Sequence, residues 1–405
     1  LKNHNYGPKG EFITLTAAAP DAAYAKLGYS IYDSDDNRQM LLIREAFKKA
    51  ATVIVYRVNG GTEAKVTAAP VTAKAKYPGT RGNQFSFTVS ENPVEGFDVQ
   101  VNLAGSKVAE YTGLKTVEEL AAQDCEYITF SGTGALVKNA GANLTGGTDV
   151  TMQNADVTAL LDASEGVKFN CMCFPFTEAA LQAAAKTKIK YIRENIGKGV
   201  QIAIPNTASG DYEGVINVTN SVTVDGVDLT AEEACAWVAA ATAAAKNTQS
   251  NTYVEYDGAT AVVGAKTHEE AVAAIKNGEF FFSVSEESKV VVEYDINSLV
   301  SFKDGKDKSY RKNRVIRVFD TFGEALQLNF PPNKYDNDPD GWDIMEGIGR
   351  SLLKKFRDAG AIKNVDLDND FLVDRELSEG DETYFNVGLE PVDSSEKIYF
   401  TVTTR

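Results

Sequence analysis

The chain has 405 residues, of which 43% are hydrophobic, and this length predicts two to four globular units. Its 57 acidic and 41 basic side chains give a formal net charge of −16. A surface of this sign repels phosphate backbones and anionic lipids, which argues against nucleic acid or membrane as the main partner. No run approaches the ~20 apolar residues that a membrane-spanning helix needs, and we expect neither membrane insertion nor a secretory leader.

Residues 1–74 have a mixed α/β pattern, and residues 75–147 change to a β pattern. In the first segment, apolar side chains recur at helical spacing from Asn37 to Ala50, and the β-branched run Thr52–Val58 predicts a strand. The second segment predicts a small, mainly β module, because short alternating runs are separated by glycine and asparagine. The runs are Phe85–Val89, Phe97–Leu103 and Tyr127–Phe130, with one short helix at Val117–Gln123.

Residues 150–285 return to alternation of strands and helices. Two Thr-x-x-Glu capping boxes, which begin at Thr230 and Thr267, each open an alanine-rich helix. Such alternation predicts a layered sheet with helices packed on it. The other predicted elements are a helix at 154–161, a buried strand at 169–176, a helix from a cap at Thr177 to Ile196, and strands at 200–204 and 259–263.

The composition shifts at both edges of residues 75–147, which indicates an insertion into a single domain. We therefore predict a layered α/β middle domain made of residues 1–74 and 148–285, with an inserted small β domain at 75–147. Residues 286–405 differ again and predict an α+β C-terminal domain. Its elements are expected to be strands at Val290–Tyr294 and Val315–Phe319, a helix over 343–359 and a terminal strand at 397–403.

Few residues are suited to catalysis. His4 is expected near a frayed end and His268 in the exposed first turn of a helix, and neither has a nucleophile elbow as partner. Cys171 and Cys173 lie on one face of a predicted buried strand, where such thiols behave as small apolar side chains. The glycine-rich stretch 131–147 contains neither a phosphate loop nor a dinucleotide fingerprint. We therefore predict no enzyme activity, no catalytic residues and no cofactor.

Two acidic strings resemble parts of a calcium-binding loop. Asp336–Gly341 places acids at loop positions 1, 3 and 5 and glycine at position 6, but Gly347 stands where the loop needs a bidentate acid. Asp366–Asp370 continues into Phe371 where glycine is required. We expect solvated acidic loops at both places and predict no metal site.

Several segments resemble, in the same order, the motifs of contractile phage tail sheath proteins. Tyr77–Asn83 (YPGTRGN) is similar to the motif that opens the inserted domain of that family, and Leu144–Asp149 (LTGGTD) to the motif that closes it. The strongest likeness is to sheaths of phages and defective prophages of Gram-positive bacteria. Further similar segments are Ala234–Ala241, Val291–Leu299, Lys312–Asp320, Gly349–Ile362, Glu390–Asp393 and Lys397–Thr403.

The resemblance implies a structural subunit of a contractile tail sheath, found in the virion tail and assembled in the bacterial cytoplasm. It would polymerise helically around the tail tube and drive the tube through the host envelope by rigid-body rearrangement. The implied partners are copies of itself, the tail tube protein, and baseplate and tail terminator proteins, without direct contact to nucleic acid. Family members have an N-terminal arm before the segment Gly7–Phe12. Here we expect that arm to be disordered or removed, which would leave the chain monomeric.

The terminal strand is the first candidate assembly element. Ile398, Phe400 and Val402 alternate with Tyr399 and Thr401 along it. A strand of this kind can pair within its own domain, or it can complete the open sheet edge of a neighbouring subunit. The family resemblance favours the second possibility.

A basic stripe on the predicted helix 343–359 is the second candidate. Arg350, Lys354 and Arg357 recur at i, i+4 and i+7, opposite an apolar stripe. The stripe is either a solubilising face or a surface that docks on an acidic tail tube.

Two other functional classes stay open. A receptor- or carbohydrate-binding tail protein would use the β module, and exposed aromatic residues clustered at 85–130 would favour it. An enzyme would need a deep pocket with convergent polar groups.

Overall fold

A computed structural model describes residues 1–33, 38–208, 210–303 and 305–403, which form two compact units, Leu1–Ser164 and Glu165–Arg405. Asn37, where the first predicted helix was expected to begin, lies outside the described residues. The grouping of residues 1–74 with 148–285 in one discontinuous domain stays a prediction. The multidomain α/β and α+β class is confirmed by the element order of both units.

The first unit begins with a small α/β segment. Strands β1 and β2 pair antiparallel, and buried Leu15, Ile43 and Val55 join the strands to helix α2 in one apolar core. The segment contains β1 (Phe12–Thr16), α1 (Tyr24–Leu27), α2 (Leu41–Phe47), β2 (Thr52–Tyr56) and the short strand β3 (Gly61–Thr62).

The β module follows as two antiparallel sheets, of order β10-β6-β7-β8 and β4-β5-β9. Its alternating runs place Phe87 and Val101 from one sheet and Phe130 from the other in one buried core, as the period-2 pattern predicts. The remaining elements of the first unit are β4 (Lys65–Ala68), β5 (Val71–Ala75), a 3₁₀ turn (Thr80–Gln84), β6 (Phe85–Glu91), β7 (Phe97–Leu103), β8 (Ser106–Leu114), α3 (Val117–Ala121), β9 (Ile128–Gly132), β10 (Asn139–Asn143), β11 (Thr148–Asp149), which pairs with β3, and α4 (Asn154–Ala163).

The second unit is built on a parallel sheet of order β12-β13-β14-β18. All residues of β13 and β14 are buried, so both faces of these strands are covered, and helices α5 and α6 pack against β13. Its elements are β12 (Cys171–Cys173), α5 (Ala179–Glu194), β13 (Gln201–Pro205), β14 (Val215–Val218), β15 (Ser221–Val224), β16 (Val227–Asp228), α6 (Ala231–Ala244), β17 (Ala259–Val263), α7 (His268–Lys276) and β18 (Glu279–Phe280).

Both predicted capping boxes are confirmed, with Thr230 and Thr267 accepting a bond from the amide of the glutamate three residues later. The predicted cap at Thr177 is wrong, since α5 begins at Ala179. The buried Gln182 amide donates to the carbonyls of Phe176 and Pro205, which holds the segment before the helix in an extended path along the sheet.

The C-terminal part packs two long helices against a hairpin. Val318 of α8, Leu353 of α9 and Phe371 of β21 share one core. The predicted strand Val315–Phe319 is wrong: these residues lie in α8, because Val315, Val318 and Phe322 follow a helical period and are all buried. The elements are β19 (Phe282–Val284), β20 (Val290–Val292), α8 (Asn313–Asn329), α9 (Pro339–Asp358), β21 (Phe371–Val373) and β22 (Phe385–Val387).

None of the helices in the described parts of the chain combines the length and the apolar content that a membrane crossing requires.

Candidate assembly surfaces

The terminal segment 397–403 forms no strand within the part of the chain that the structure describes. Its large apolar side chains are extensively exposed: Ile398 64%, Tyr399 88%, Phe400 85% and Val402 91%. Pairing within its own domain, one of the two alternatives for this segment, is therefore not seen here. Four neighbouring apolar side chains in water are unfavourable and mark a segment suited to binding a partner.

The chain immediately before this segment is held in place. Ile362 and Pro391 form an antiparallel bridge, in which Lys363 N–H donates to Glu390 O at 2.9 Å and Val392 N–H donates to Ala361 O at 2.9 Å. The exposed segment is thus an arm, residues 397–403, that follows a half-buried stretch held by backbone hydrogen bonds.

The hairpin of β21 and β22 has an open edge on the β22 side. Gly388 N–H donates to Asp370 O, and Asp374 N–H donates to Tyr384 O. This pattern directs the backbone groups of residues 384, 386 and 388 toward β21, and those of residues 385 and 387 away from it. In the two-stranded sheet that the structure describes, β22 has β21 as its neighbour, so its outer edge can accept another strand.

The outer edge of β21 is occupied by a side chain of α9. The Glu346 carboxylate, 5% exposed, accepts a hydrogen bond from Val373 N–H at 3.0 Å. The same carboxylate lies 3.3 Å from Arg350 Nη2 and 3.5 Å from Arg375 Nη2. Glu346 therefore blocks one edge of the hairpin and leaves β22 as the accessible one.

The predicted basic stripe lies on α9, but its charges are not equally available. Arg350 pairs with buried Glu346 and Arg357 with Asp358, at 3.1 Å. Lys354 is exposed and forms no ion pair within the described ranges, and its neighbour Lys355 is also exposed. The positive field at the C-terminal end of α9 therefore comes mainly from two lysines.

The start of α9 explains the acidic string that resembles a calcium loop. Asp338 caps the helix by accepting a bond from Gly341 N–H at 2.8 Å, and Pro339 occupies the first helical position. A Cβ at Gly341 would lie 2.0 Å from Asp336 O, so the close turn requires glycine. The string builds a helix start, and the described residues contain no cluster of three or more His, Cys, Asp or Glu that could hold a metal.

The second acidic string closes a turn on itself. Asp366 accepts bonds from the Asp368 amide at 3.0 Å and the Asn369 side chain at 2.8 Å, while Asp370 accepts a bond from the Asp366 amide at 2.6 Å.

The two motifs that flank the β module meet in space. The Asn83 side chain donates to Gly147 O at 2.9 Å and accepts from Gly147 N–H at 2.8 Å, and Thr80 bonds to the carboxylate of Asp149. Buried Arg57 donates to the carbonyls of His4, Gly7 and Pro78 beside them. The motifs therefore build the junction where the chain enters and leaves the module.

His4 and the strand cysteines are structural. His4 is buried, not frayed as expected: its ring Nε2 lies 2.8 Å from Leu27 O, and burial lowers its pKa to about 3. His268 is exposed in the first turn of α7, as predicted. Burial raises the pKa of Cys173 to about 12 and also raises the pKa of Cys171. Both thiols therefore stay protonated near neutral pH.

Sequence reasoning missed Glu346 and the β22 edge. Glu346 was predictable in part, because an acid one turn before Arg350 on the same helix indicates an ion pair. The hairpin strands have three residues each, too few to show a period-2 pattern.

Four family models match the chain over consecutive stretches. They are described as the tail sheath protein Gp18 domain III N-terminal region (residues 2–58), the phage tail sheath protein beta-sandwich domain (59–149), its central domain (151–298) and its C-terminal domain (305–405).

Relatives and solved structures agree with these matches. The phage-like element PBSX protein XkdK of Bacillus subtilis is 34% identical over 98% of this chain and 90% of its own length. The sheath tail protein of Desulfitobacterium hafniense is 38% identical, with a TM-score of 0.88 over 99% of this chain and 94% of that one. That of Listeria innocua is 33% identical, with a TM-score of 0.83 over 99% and 92%.

Proposed function

This chain belongs to the phage tail sheath family, and we propose that it is the subunit of a contractile sheath that polymerises helically around a tail tube. The observation that carries the proposal is the arm 397–403, whose apolar side chains are exposed although the helices and the hairpin of the C-terminal domain share a buried core. Its partners would be copies of itself, the tail tube protein, and baseplate and tail terminator proteins. The sheath would form in the bacterial cytoplasm and remain in the virion tail.

The arm of one subunit would add a strand to the hairpin of a neighbour along β22. Two facts support this edge: the backbone groups of Phe385 and Val387 point away from β21, and Glu346 blocks the opposite edge. A two-stranded sheet is marginal by itself, so a third strand would stabilise the acceptor as well as the arm. Backbone bonds would give affinity, and Ile398, Phe400 and Val402 would bury one face.

Contraction would proceed by rigid-body movement of subunits that stay linked through their arms. Each arm is a short connection to a packed base, so the link can follow a rotation of the subunits without breaking the core. The extended lattice would store the free energy, and nucleotide hydrolysis would not be needed. Purified protein is accordingly expected to hydrolyse no nucleotide.

The end of α9 would face the tube, through Arg350, Lys354 and Arg357. Because Arg350 and Arg357 already pair with acids, Lys354 would contribute most of the available charge. Charge reversal of all three residues should abolish sheath assembly on tubes. Lys354→Glu by itself should weaken tube binding more than Arg357→Glu does.

The test is co-assembly with purified tubes, followed by electron microscopy and pelleting. Lys107→Glu is the control, because Lys107 is an exposed lysine on β8 of the β module, and it pairs with Glu110, which is exposed as well. Unchanged assembly of the triple variant on tubes would contradict the tube-facing assignment, and assembly of sheath without tubes would separate that result from self-association.

The alternative of a carbohydrate- or receptor-binding protein has no support from the β module. All residues of 85–130 are described, and their aromatic side chains are buried or half-buried against the module core. The exposed aromatic cluster that would favour recognition is not present in this stretch.

A further inference from the structure

The base of the terminal arm ends at a single buried carboxylate. The Glu396 side chain is 6% exposed, whereas Ile398, two residues later, is 64% exposed and the apolar residues that follow are exposed further still. Glu396 is therefore the last buried side chain before the free arm within the described residues. A carboxylate is an expensive group to bury, so its surroundings must compensate for the lost water.

Three side chains surround this carboxylate. Ser250 Oγ donates to Glu396 Oε1 at 2.6 Å and Thr252 Oγ1 donates to the same oxygen at 2.8 Å. Lys312, 10% exposed, forms a close ion pair with the other oxygen, Oε2. Thr252 also accepts a bond from Asp295 N–H at 2.9 Å, which orients its hydroxyl toward the arm.

A second contact holds the preceding turn of chain. Arg314 Nη1 donates to Ser394 Oγ at 2.6 Å, and Asp393 lies 4.0 Å from Lys312 Nζ. Asp393 and Ser394 belong to the same short stretch as Glu396. The base of the arm therefore contacts both Lys312 and Arg314.

The start of α8 needs acidic partners from outside the helix. Lys312, Arg314 and Arg317 lie on its first turns, which contain no acidic residue, and the N-terminal end of a helix dipole disfavours cations. Arg317 is paired with buried Asp295 at 2.9 Å. Burial lowers the pKa of Lys312, as expected for an ammonium group that needs a carboxylate to stay charged.

We propose that Glu396, gripped by Lys312, Ser250 and Thr252, is a clasp that fixes the point and direction in which the assembly arm leaves the subunit. The seven residues of the arm span about 23 Å when extended, so a shift of its base by a few ångströms would move the whole strand out of register with an acceptor edge. In this role Glu396 is a positioning residue, since it lies outside the strand that pairs. The proposal rests on the proposed function, because it assumes that the arm links subunits.

Hydrogen exchange on the full-length protein at low concentration tests the clasp without requiring assembly. In Glu396→Gln, the amides of Val392 and Ser394, which donate to Ala361 O and to the Asp393 carboxylate, should exchange at least tenfold faster than in the wild type, since the ion pair that holds this stretch to Lys312 is lost. Glu390→Gln is the matched control, because Glu390 lies six residues earlier and pairs with Lys363 while both are 53% exposed. Its exchange at the same amides should stay within twofold of the wild type.

The assembly readout separates positioning from local packing. Glu396→Gln should need a severalfold higher protein concentration to form sheath, while the charge swap Lys312→Glu/Glu396→Lys should restore part of both readouts. Exchange within twofold of the wild type in Glu396→Gln would overturn the clasp, and a loosened base with unchanged assembly would overturn its positioning role. If the wild type, tested with the N-terminal arm that the family resemblance implies, forms no polymer, the proposed function fails, whereas the exchange comparison still decides the clasp.

Discussion

Removing the apolar face of the arm should abolish self-assembly while leaving the folded subunit unchanged. The perturbation is Ile398→Ser, Phe400→Ser and Val402→Ser together. Their side chains are 64%, 85% and 91% exposed in the subunit, so replacing them should alter its free energy of unfolding by less than about 0.5 kcal/mol each.

The expected loss at each junction follows from the exposed area. The exposed fractions of the three residues add up to about 2.4 complete side chains. Complete burial of one such side chain is favourable by about 1.5–3 kcal/mol, so burying all three at a junction would stabilise it by at most about 4–7 kcal/mol. The entropy lost when the arm becomes ordered offsets part of this stabilisation. Even half of the lower figure, about 2 kcal/mol, would raise the dissociation constant about 30-fold.

The assay is sedimentation over a range of protein concentrations, with electron microscopy of the pellets and thermal unfolding of the supernatant. Val94→Ser is the control, because Val94 is 94% exposed but lies in the β module. If the triple variant polymerises at the wild-type concentration, the arm does not link subunits and the strand-addition argument is refuted. A large drop in its melting temperature would instead show that the arm packs in the subunit.

Two further predictions concern the folded subunit. Gly349→Ala should destabilise it by several kcal/mol, because a Cβ there would lie 2.0 Å from the Phe371 ring. Gly347→Ala should instead stabilise it by about 0.5–1 kcal/mol, because a Cβ there would have nothing within 4 Å. Urea unfolding distinguishes the two variants, and equal effects on the free energy of unfolding would contradict the packing of Gly349 on Phe371. His4 has a pKa lowered to about 3, so the unfolded chain takes up a proton near pH 6.5 that the folded chain refuses. As the pH is lowered below 6.5, this group should therefore decrease the free energy of unfolding by about 1.4 kcal/mol per pH unit. The variant His4→Gln should lack this pH dependence.

Local pattern determined most of the secondary structure and the order of the elements. The two capping boxes, the strand at Ala259–Val263 and the long helix α9 need only neighbours a few residues away, and each lies where its pattern predicts it. The wrong strand prediction at Val315–Phe319 also comes from relying on local pattern. Four of its five residues are β-branched or aromatic and favour a strand, and only the longer period of burial along α8 shows a helix.

The candidate site divides in the same way. The sequence by itself predicted the terminal segment and the basic stripe as candidate assembly elements, because alternation and helical spacing are visible along the chain. Only the tertiary structure decided that Glu346 is buried and blocks β21, that the edge of β22 is open, and that the Glu396 side chain is buried at the base of the arm. The contacts of Glu346 with Val373 and of Ser250 with Glu396 join residues 27 and 146 positions apart, and such pairings depend on how the helices and the hairpin pack together.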